Sequence, residues 1–424
     1  MTFELIRDLA AGLLAGRSGL FARYVLACVA FTVASASGRL VLGPQALPWW
    51  LVAVSLVLIA ACSTPTIAAI ALAYALLFYA VVELLPAGPL RVGATLALLA
   101  AQIAGPILWL PRLSGYGGVR EFVAFATNLT FLRSWAWAFD RALVPEARGF
   151  RDYAVYTFFF PAFPSGPFFS PSELATRRLG WWWDATPSAD VARRARVVAL
   201  LRIVRGFAGL ALLAWVASAL TPEAYLRAMH GGPGGAWWHS VGVYLAVYFG
   251  FSAWTDAAIG FAALSGLVLP ENFDDAHLAY GPADFWRRWN RTLGHWMHEY
   301  VYVPLGGAHP GGRRDRLAWW NIAAVFAAVA LYHHVGGLKL LGPGVAGMPG
   351  FWLPWTLWAL INTVGTLVTR RWRAPARWGA GTWAIVVATF AISAAGLATA
   401  FYPLGLPIAD VLVLYRALLG GGLR

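Results

Sequence analysis

The chain has 424 residues, of which 60% are hydrophobic and 12% charged, with a mean hydropathy of +0.63. Soluble globular domains carry about 25% charged residues, so that class is excluded. The formal net charge of +13 is almost all arginine, Lys339 being the single lysine, and these residues lie between apolar runs without a stripe of interleaved aromatics, so nucleic acid is not an expected partner.

Taken in order, apolar runs fall at 19–43, 48–62, 65–86, 90–110, 119–139, 150–169, 197–220, 237–269, 317–335, 351–369, 378–402 and 405–418. A helix needs roughly 20 residues to cross a bilayer, and the runs are continuous and Leu/Ala-rich instead of alternating, as helices and not barrel strands are. The expected fold class is therefore all-α: a polytopic transmembrane helical bundle of about ten to twelve membrane segments, in a single membrane-embedded domain over residues 1–424. The runs 48–62, 119–139 and 150–169 are short or carry charges and read as re-entrant or tilted. The first residues include Glu4 and Asp8 and offer no small-residue cleavage site, so no removable signal peptide is expected. Cys28 and Cys62 sit in apolar runs and read as packing residues.

Arginine orients the bundle. The clusters Arg177-Arg178, Arg193-Arg194-Arg196, Arg287-Arg288-Arg291, Arg313-Arg314-Arg316 and Arg370-Arg371-Arg373-Arg377 share the cytoplasmic side under the positive-inside rule. Parity then requires Asn290 to Pro304 to enter the membrane and return on the same side. Trp181, Trp182 and Trp183 read as interfacial anchors, and the glycine-rich stretches 231–235 and 342–350 as loops on the opposite face. Asp256, inside an apolar run, must find a cation, and the Arg287/Arg288 region is the nearest basic candidate in sequence. Pro270-Glu271-Asn272-Phe273 reads as the end of that apolar run.

The polar content concentrates in DFWRRWNRTLGHWMHEYVYVPLGG, Asp284 to Gly307, and in the pair His333-His334. Ionisable groups at membrane depth are costly, so function is their default explanation. His295 and His298 with Glu299 have a spacing reminiscent of metal ligands, but the His-Glu-x-x-His pattern is missing and no third ligand is in view; no metal is expected.

The succession YFGFSAWTDAAIG, LPENF, DFWRRWNRTLGHWMHEYVYVPLGG and ALYHHVGG resembles the membrane-bound O-acyltransferase family. It is most similar to the bacterial branch with alginate O-acetyltransferases and teichoic-acid D-alanyl transfer proteins. FLRSWAWAFDRA and YTFFFPAFPSGP match that branch upstream, and the similarity runs from about Phe131 to Val364, the family-like core. The resemblance puts the family histidine at His333, after Ala330-Leu331-Tyr332; the family has Gly next where this chain has His334, which makes His334 the register alternative. The second family position, often His in the bacterial branch, is Asn290, as in several eukaryotic lipid-acylating members. The resemblance further implies re-entrant or interfacial helices around a central tunnel and a cytoplasmic acyl thioester donor. It also implies an extracytoplasmic glycan or cell-envelope polymer as acceptor, a carrier or periplasmic partner protein, and the bacterial inner membrane, multi-pass.

The residue chemistry is consistent with this. Moving an acyl group from thioester to alcohol needs a base for the hydroxyl proton, which an imidazole such as His333 supplies. It also needs a donor for the developing oxyanion, which the Asn290 amide supplies. Arg287, Arg288 and Arg291 match the phosphates of acyl-CoA or of an acyl-phosphopantetheine carrier, with Trp286, Trp289 and His298 beside them as further donor-binding candidates. No bound cofactor is expected; the donor is a substrate, and membrane lipids are the surrounding partner. A second reading has a lipid or small hydrophobic alcohol as acceptor. A reading of another class is a transporter or flippase, with Asp256, the arginines and the His pair lining a pathway.

Overall fold

The computed structural model describes residues 20–43, 45–113, 119–143, 149–164, 166–175, 189–219, 233–307, 318–348, 350–373, 378–400, 413 and 416–419. The regular elements among them are helices. The Trp181–Trp183 anchors, the clusters Arg177-Arg178 and Arg313-Arg314-Arg316, and most of the run 405–418 lie outside the described residues. Among the described residues seven helices are long and apolar enough to cross a membrane, joined by a shorter apolar helix at Leu47–Cys62, so the chain is a multi-pass helical membrane protein. The chain divides into two compact units: one holds the described residues up to Ala208 with Ala253–Pro270, the other Gly209–Ser252 and the described residues from Glu271 onward.

In the first unit, α1 (Leu20–Val41), α2 (Leu47–Cys62), α3 (Pro65–Tyr79, continued by a wider turn at Ala80–Leu84) and α4 (Pro89–Trp109) follow the hydropathy. Proline opens α3 and α4, where its missing N–H costs nothing, and Thr64 Oγ1 accepts the Ile67 N–H at 3.2 Å to cap α3. α5 (Val119–Leu143) carries charges but buries them in partnerships. Glu83 accepts the Trp137 indole N–H at 2.8 Å and Arg141 Nε at 2.6 Å, while the fully buried Arg133 donates to the carbonyls of Thr157 at 3.0 Å and Ala162 at 2.7 Å. The run 150–169 is not a continuous helix: α6 (Phe150–Phe158) lasts 9 residues and gives way to a short 3-10 turn at Phe160–Ala162. Nine residues at about 1.5 Å each fall far short of a bilayer core of about 30 Å; Pro161 has no N–H to offer the Thr157 carbonyl, and Arg133 takes up that carbonyl together with that of Ala162 in the turn beyond.

α7 (Ala189–Ala219) and α8 (Pro233–Leu264) contribute residues to both units. Within the first unit their backbones meet at two glycines. A Cβ on Gly206 would lie 2.8 Å from the Ala253 carbonyl oxygen, and one on Gly260 would lie 2.6 Å from Ile203 Cγ1 and 2.7 Å from the Ala199 carbonyl oxygen. Small residues at helix crossings permit this approach. Beside it, Asp256 pairs with Arg202 at 2.7 Å and Arg205 at 2.9 Å. The expectation that Arg287 or Arg288 neutralises Asp256 is therefore corrected: arginines one helix earlier face it across the close crossing. α8 stops because Gly266 turns left-handed (φ 96°) and the Gly266 and Leu267 N–H groups return to Ala263 and Ala262, a glycine-terminated helix end upstream of Pro270.

In the second unit the polar segment forms two short helices, α9 (Pro282–Arg288) and α10 (Arg291–Met297), followed by an irregular helical stretch at His298–Gly307 that kinks at Gly306. Seven residues span about 10 Å, so neither helix crosses a bilayer by itself. The break between them falls on Asn290 at φ 44° and ψ 51°, a left-handed conformation that asparagine tolerates better than most residues. The stretch after Pro270 holds it open. Asp274 N–H donates to the Arg288 carbonyl and Arg291 N–H to the Asn272 carbonyl, both at 2.9 Å, and Asn272 Oδ1 accepts Thr292 N–H at 3.2 Å and Thr292 Oγ1–H at 2.7 Å. Then come α11 (Ala318–Leu341), α12 (Leu353–Thr369) and α13 (Ala380–Ala400). α9 starts on α12: Ala283 N–H donates to Thr369 Oγ1 at 3.0 Å, and a Cβ on Gly365 would sit 3.0 Å from Pro282.

Two predictions follow from these contacts. Gly260→Leu forces side-chain atoms into backbone and should lower stability by about 1–3 kcal/mol, whereas Gly93→Ala, whose Cβ meets nothing within 4 Å, should leave thermal unfolding of the purified protein unchanged or slightly improved. Asn272→Ala strands both Thr292 donors and should cost about 2 kcal/mol; an unaltered unfolding midpoint would show that Asn272 does not hold the break.

Candidate active site

His333 lies on α11, held from two directions. Its Nδ1 is 2.8 Å from the Val329 carbonyl oxygen, and its ring stacks on Trp355 of α12 at 3.8 Å between centroids and 18° between planes. A carbonyl only accepts, so Nδ1 carries the proton of the neutral ring and Nε2 is left with its lone pair. Trp358 flanks the same ring at 6.3 Å and Tyr332 lies edge-on at 5.6 Å. His334 is on a different face of α11, buried against Trp352 and Phe351, and neither of its ring nitrogens has a well-formed hydrogen bond among the described residues.

α9 reaches the same wall through Trp286. Its ring stands edge-on to Trp358 at 5.2 Å and to Phe326 of α11 at 5.6 Å, and its indole N–H donates to Asn362 Oδ1 at 2.9 Å. Phe326, Ala330, Trp358, Ala359 and Ala400 form the buried part of this cluster, with Trp286 and Trp355 packed against it. Trp289, three residues on, turns into a second aromatic core with Tyr244, Tyr248, Phe273 and Phe285, stacked on Phe285 at 5.3 Å. Asn290 follows, half-buried, its side chain neither capping α10 nor hydrogen-bonded among the described residues.

The basic residues divide. The buried carboxylate of Asp284 takes Arg288 Nε at 2.8 Å and Arg287 Nε at 3.5 Å, and Arg288 also reaches the Asp274 carbonyl at 3.3 Å. Arg288 is thereby committed within the protein, whereas Arg287 and Arg291 are exposed. His298 is exposed and stacks on Tyr302 at 5.5 Å, and His295 Nε2 sits 3.1 Å from Glu299 Oε1. No group of three metal-ligating side chains occurs among the described residues.

The structure thus joins the elements that carry His333 and Asn290 through Trp286, and seats Trp289 and His334 in packed aromatic surroundings. Sequence reasoning did not single out Trp355, Trp358 or Asn362, and it read Asn272 only as part of the end of an apolar run. Asn272 sits inside the LPENF motif, and Asn362 is a lone amide in the apolar run 351–369, the kind of residue that intramembrane polarity marks.

Known proteins agree with the resemblance. A peptidoglycan O-acetyltransferase of Helicobacter pylori is 36% identical over 101 residues, 24% of this chain and 19% of that protein. A probable alginate O-acetylase of Pseudomonas fluorescens is 25% identical over 238 residues, 56% and 44% of the two chains. A teichoic acid D-alanyltransferase of Bacillus subtilis is 32% identical over 62 residues, 15% and 16%. The matched regions span under half the length of each of these relatives. The model of the membrane-bound O-acyltransferase family matches residues 123–341, more than half of the chain and including α9, α10 and His333, and the chain belongs to that family.

Proposed function

We propose that this protein is an O-acyltransferase that moves an acyl group, acetyl in the first instance, from a cytoplasmic thioester to a hydroxyl of an extracytoplasmic glycan or cell-envelope polymer. The observation that carries the reading is the fixed tautomer of His333: Nδ1 is spent on the Val329 carbonyl, which leaves Nε2 as a proton acceptor. The acceptor hydroxyl oxygen attacks the thioester carbonyl carbon while Nε2 takes its proton. The C–S bond then breaks, the proton passes to the thiolate, and an ester and a free thiol result. Trp355, stacked on the imidazole, favours its transient positive charge through the ring face. Asn290, with an uncommitted amide, serves as donor to the carbonyl oxygen as charge builds there.

On the donor side the geometry favours Arg287 and Arg291, whose guanidinium groups are exposed, for the phosphates of acyl-CoA or of an acyl-phosphopantetheine carrier. Arg288 acts by holding Asp284. His298 is exposed as Arg287 and Arg291 are and is a further donor contact in this reading; Trp286 shapes the wall beside His333, and Trp289 supports the segment from the neighbouring aromatic core. The names of the relatives point to envelope polymers as the acceptor class; we place the enzyme in the bacterial inner membrane, working with a carrier or periplasmic partner protein.

The test uses membranes carrying the parent or a variant, supplied with radiolabelled acetyl-CoA and separated into polymer and lipid fractions. His333→Ala should reduce transfer about a thousandfold and Asn290→Ala about a hundredfold. His334→Ala, which removes a ring packed away from the Val329–Trp355 clamp, should retain most activity. Full activity in His333→Ala removes the assigned base. Loss confined to His334→Ala moves the base by one residue, label appearing in lipid instead of polymer changes the acceptor class, and uptake without covalent transfer indicates transport.

A further inference from the structure

Asn362 lies in the middle of α12, outside every motif that carries the family resemblance, and among the described residues it is the side chain that hydrogen-bonds Trp286. Its orientation is unambiguous. The Trp286 indole N–H only donates and the Trp358 carbonyl only accepts, so Oδ1 faces Trp286 at 2.9 Å and Nδ2 faces the Trp358 oxygen at 2.8 Å. Each end of the amide thus holds a different part of the candidate site. Trp286 stands four residues before Asn290, at the other side of the break that the Asn272 bonds hold open. Trp358 borders His333, and Trp355, stacked on the imidazole, lies 5.4 Å from Trp358.

The start of α9 is tied to α12 by the Ala283–Thr369 bond, but without the Asn362 amide the Trp286 end would meet α11 and α12 through ring edges alone, against Phe326 and Trp358. Apolar surfaces of this kind define area but only weakly define register, because a ring that slides along a neighbour keeps most of its contact. A directional hydrogen bond in apolar surroundings removes that freedom. Both ends of the amide are thus engaged within the protein, Oδ1 by Trp286 and Nδ2 by the Trp358 carbonyl.

We infer that Asn362 is a positioning residue, which through Trp286 fixes the Asn290 segment relative to the aromatic wall that holds His333. The inference rests on the acyl-transfer reading, and it assigns Asn362 no contact with donor or acceptor. Its role is to keep the oxyanion donor and the base in one geometry; displacement of such groups by about 1 Å costs on the order of a hundredfold in rate.

Four variants test this: Asn362→Leu, Trp286→Phe, the two combined, and Asn362→Asp, assayed for turnover and KM with acetyl-CoA in membranes alongside His333→Ala. Asn362→Leu should lower turnover about a hundredfold while KM for acetyl-CoA stays within about threefold. The double variant should be no worse than the worse single, because both substitutions break one bond. Asn362→Asp in its protonated form can accept from Trp286 and donate to the Trp358 carbonyl, and should recover most of the turnover. The proposal is overturned if Asn362→Leu keeps the parent's turnover, if the two single losses multiply, or if the loss tracks a fall in folded protein on size-exclusion chromatography. An inactive His333→Ala beside a fully active Asn362→Leu defeats the positioning role alone. An active His333→Ala defeats the acyl-transfer assignment beneath it.

Discussion

Asn272 Oδ1 and the two hydrogens that Thr292 offers it are the constraint on which the second unit depends. A helix running uninterrupted from Pro282 would carry each side chain onward by about 100° per residue and would have no reason to stop at Asn290. The bonds from the stretch after Pro270 instead occupy the backbone at Arg288 and Arg291, and Asn290 takes up the left-handed conformation between them. The consequences spread in both directions. Upstream, Trp286 faces the α11–α12 pair while Trp289 enters the core around Tyr244 and Tyr248; downstream, α10 places Arg291, His295 and His298 on the exposed side. One buried amide therefore separates the groups that pack from the groups that stay accessible.

The same accounting governs the charges. A chain with so little polar surface cannot leave ions unpaired at depth, and the carboxylates at Glu83, Asp256 and Asp284 are each met by arginine. Two of them take two arginines: Asp256 with Arg202 and Arg205, Asp284 with Arg287 and Arg288. That arrangement anchors a helix crossing in one case and the start of the polar segment in the other. It also explains why the three arginines of the polar segment are not equivalent: Arg288 is tied to Asp284 and to a backbone carbonyl, and Arg291 is not.

Much of this was legible in the sequence because its signals are local. Hydropathy alone located α1, α4, α12 and α13 to within a few residues, and the concentration of Trp, Arg, Asn and His in Asp284–Gly307 identified the irregular segment. Features that depend on pairing across the chain were not legible. Asp256 is closer in sequence to Arg287 than to Arg202, yet helix packing through Gly206 and Gly260 decides its partner. The run 150–169 is hydrophobic enough to suggest a span, but its composition says nothing of a guanidinium that takes up the carbonyls of Thr157 and Ala162 on either side of Pro161. Likewise the resemblance favours His333 over His334 by register alone, and the physical difference between them lies in their neighbours, Val329 and Trp355 against Phe351 and Trp352.

That distinction bears on how acyl transfer would avoid hydrolysis. A thioester beside a base and open water would lose its acyl group to water, so the proposed chemistry needs an imidazole that a substrate hydroxyl can reach while bulk solvent cannot crowd it. His333 has one ring face covered by Trp355, Trp358 nearby, and one nitrogen consumed by its own helix, which leaves a narrow range of directions from which a proton can be delivered. The aromatic wall does two jobs at once in this reading: it excludes water from most of the ring, and its face stabilises the imidazolium that appears when the hydroxyl proton arrives. Both effects weaken if the wall shifts against α9, which is why a hydrogen bond on the far side of Trp358 matters to a histidine it does not touch.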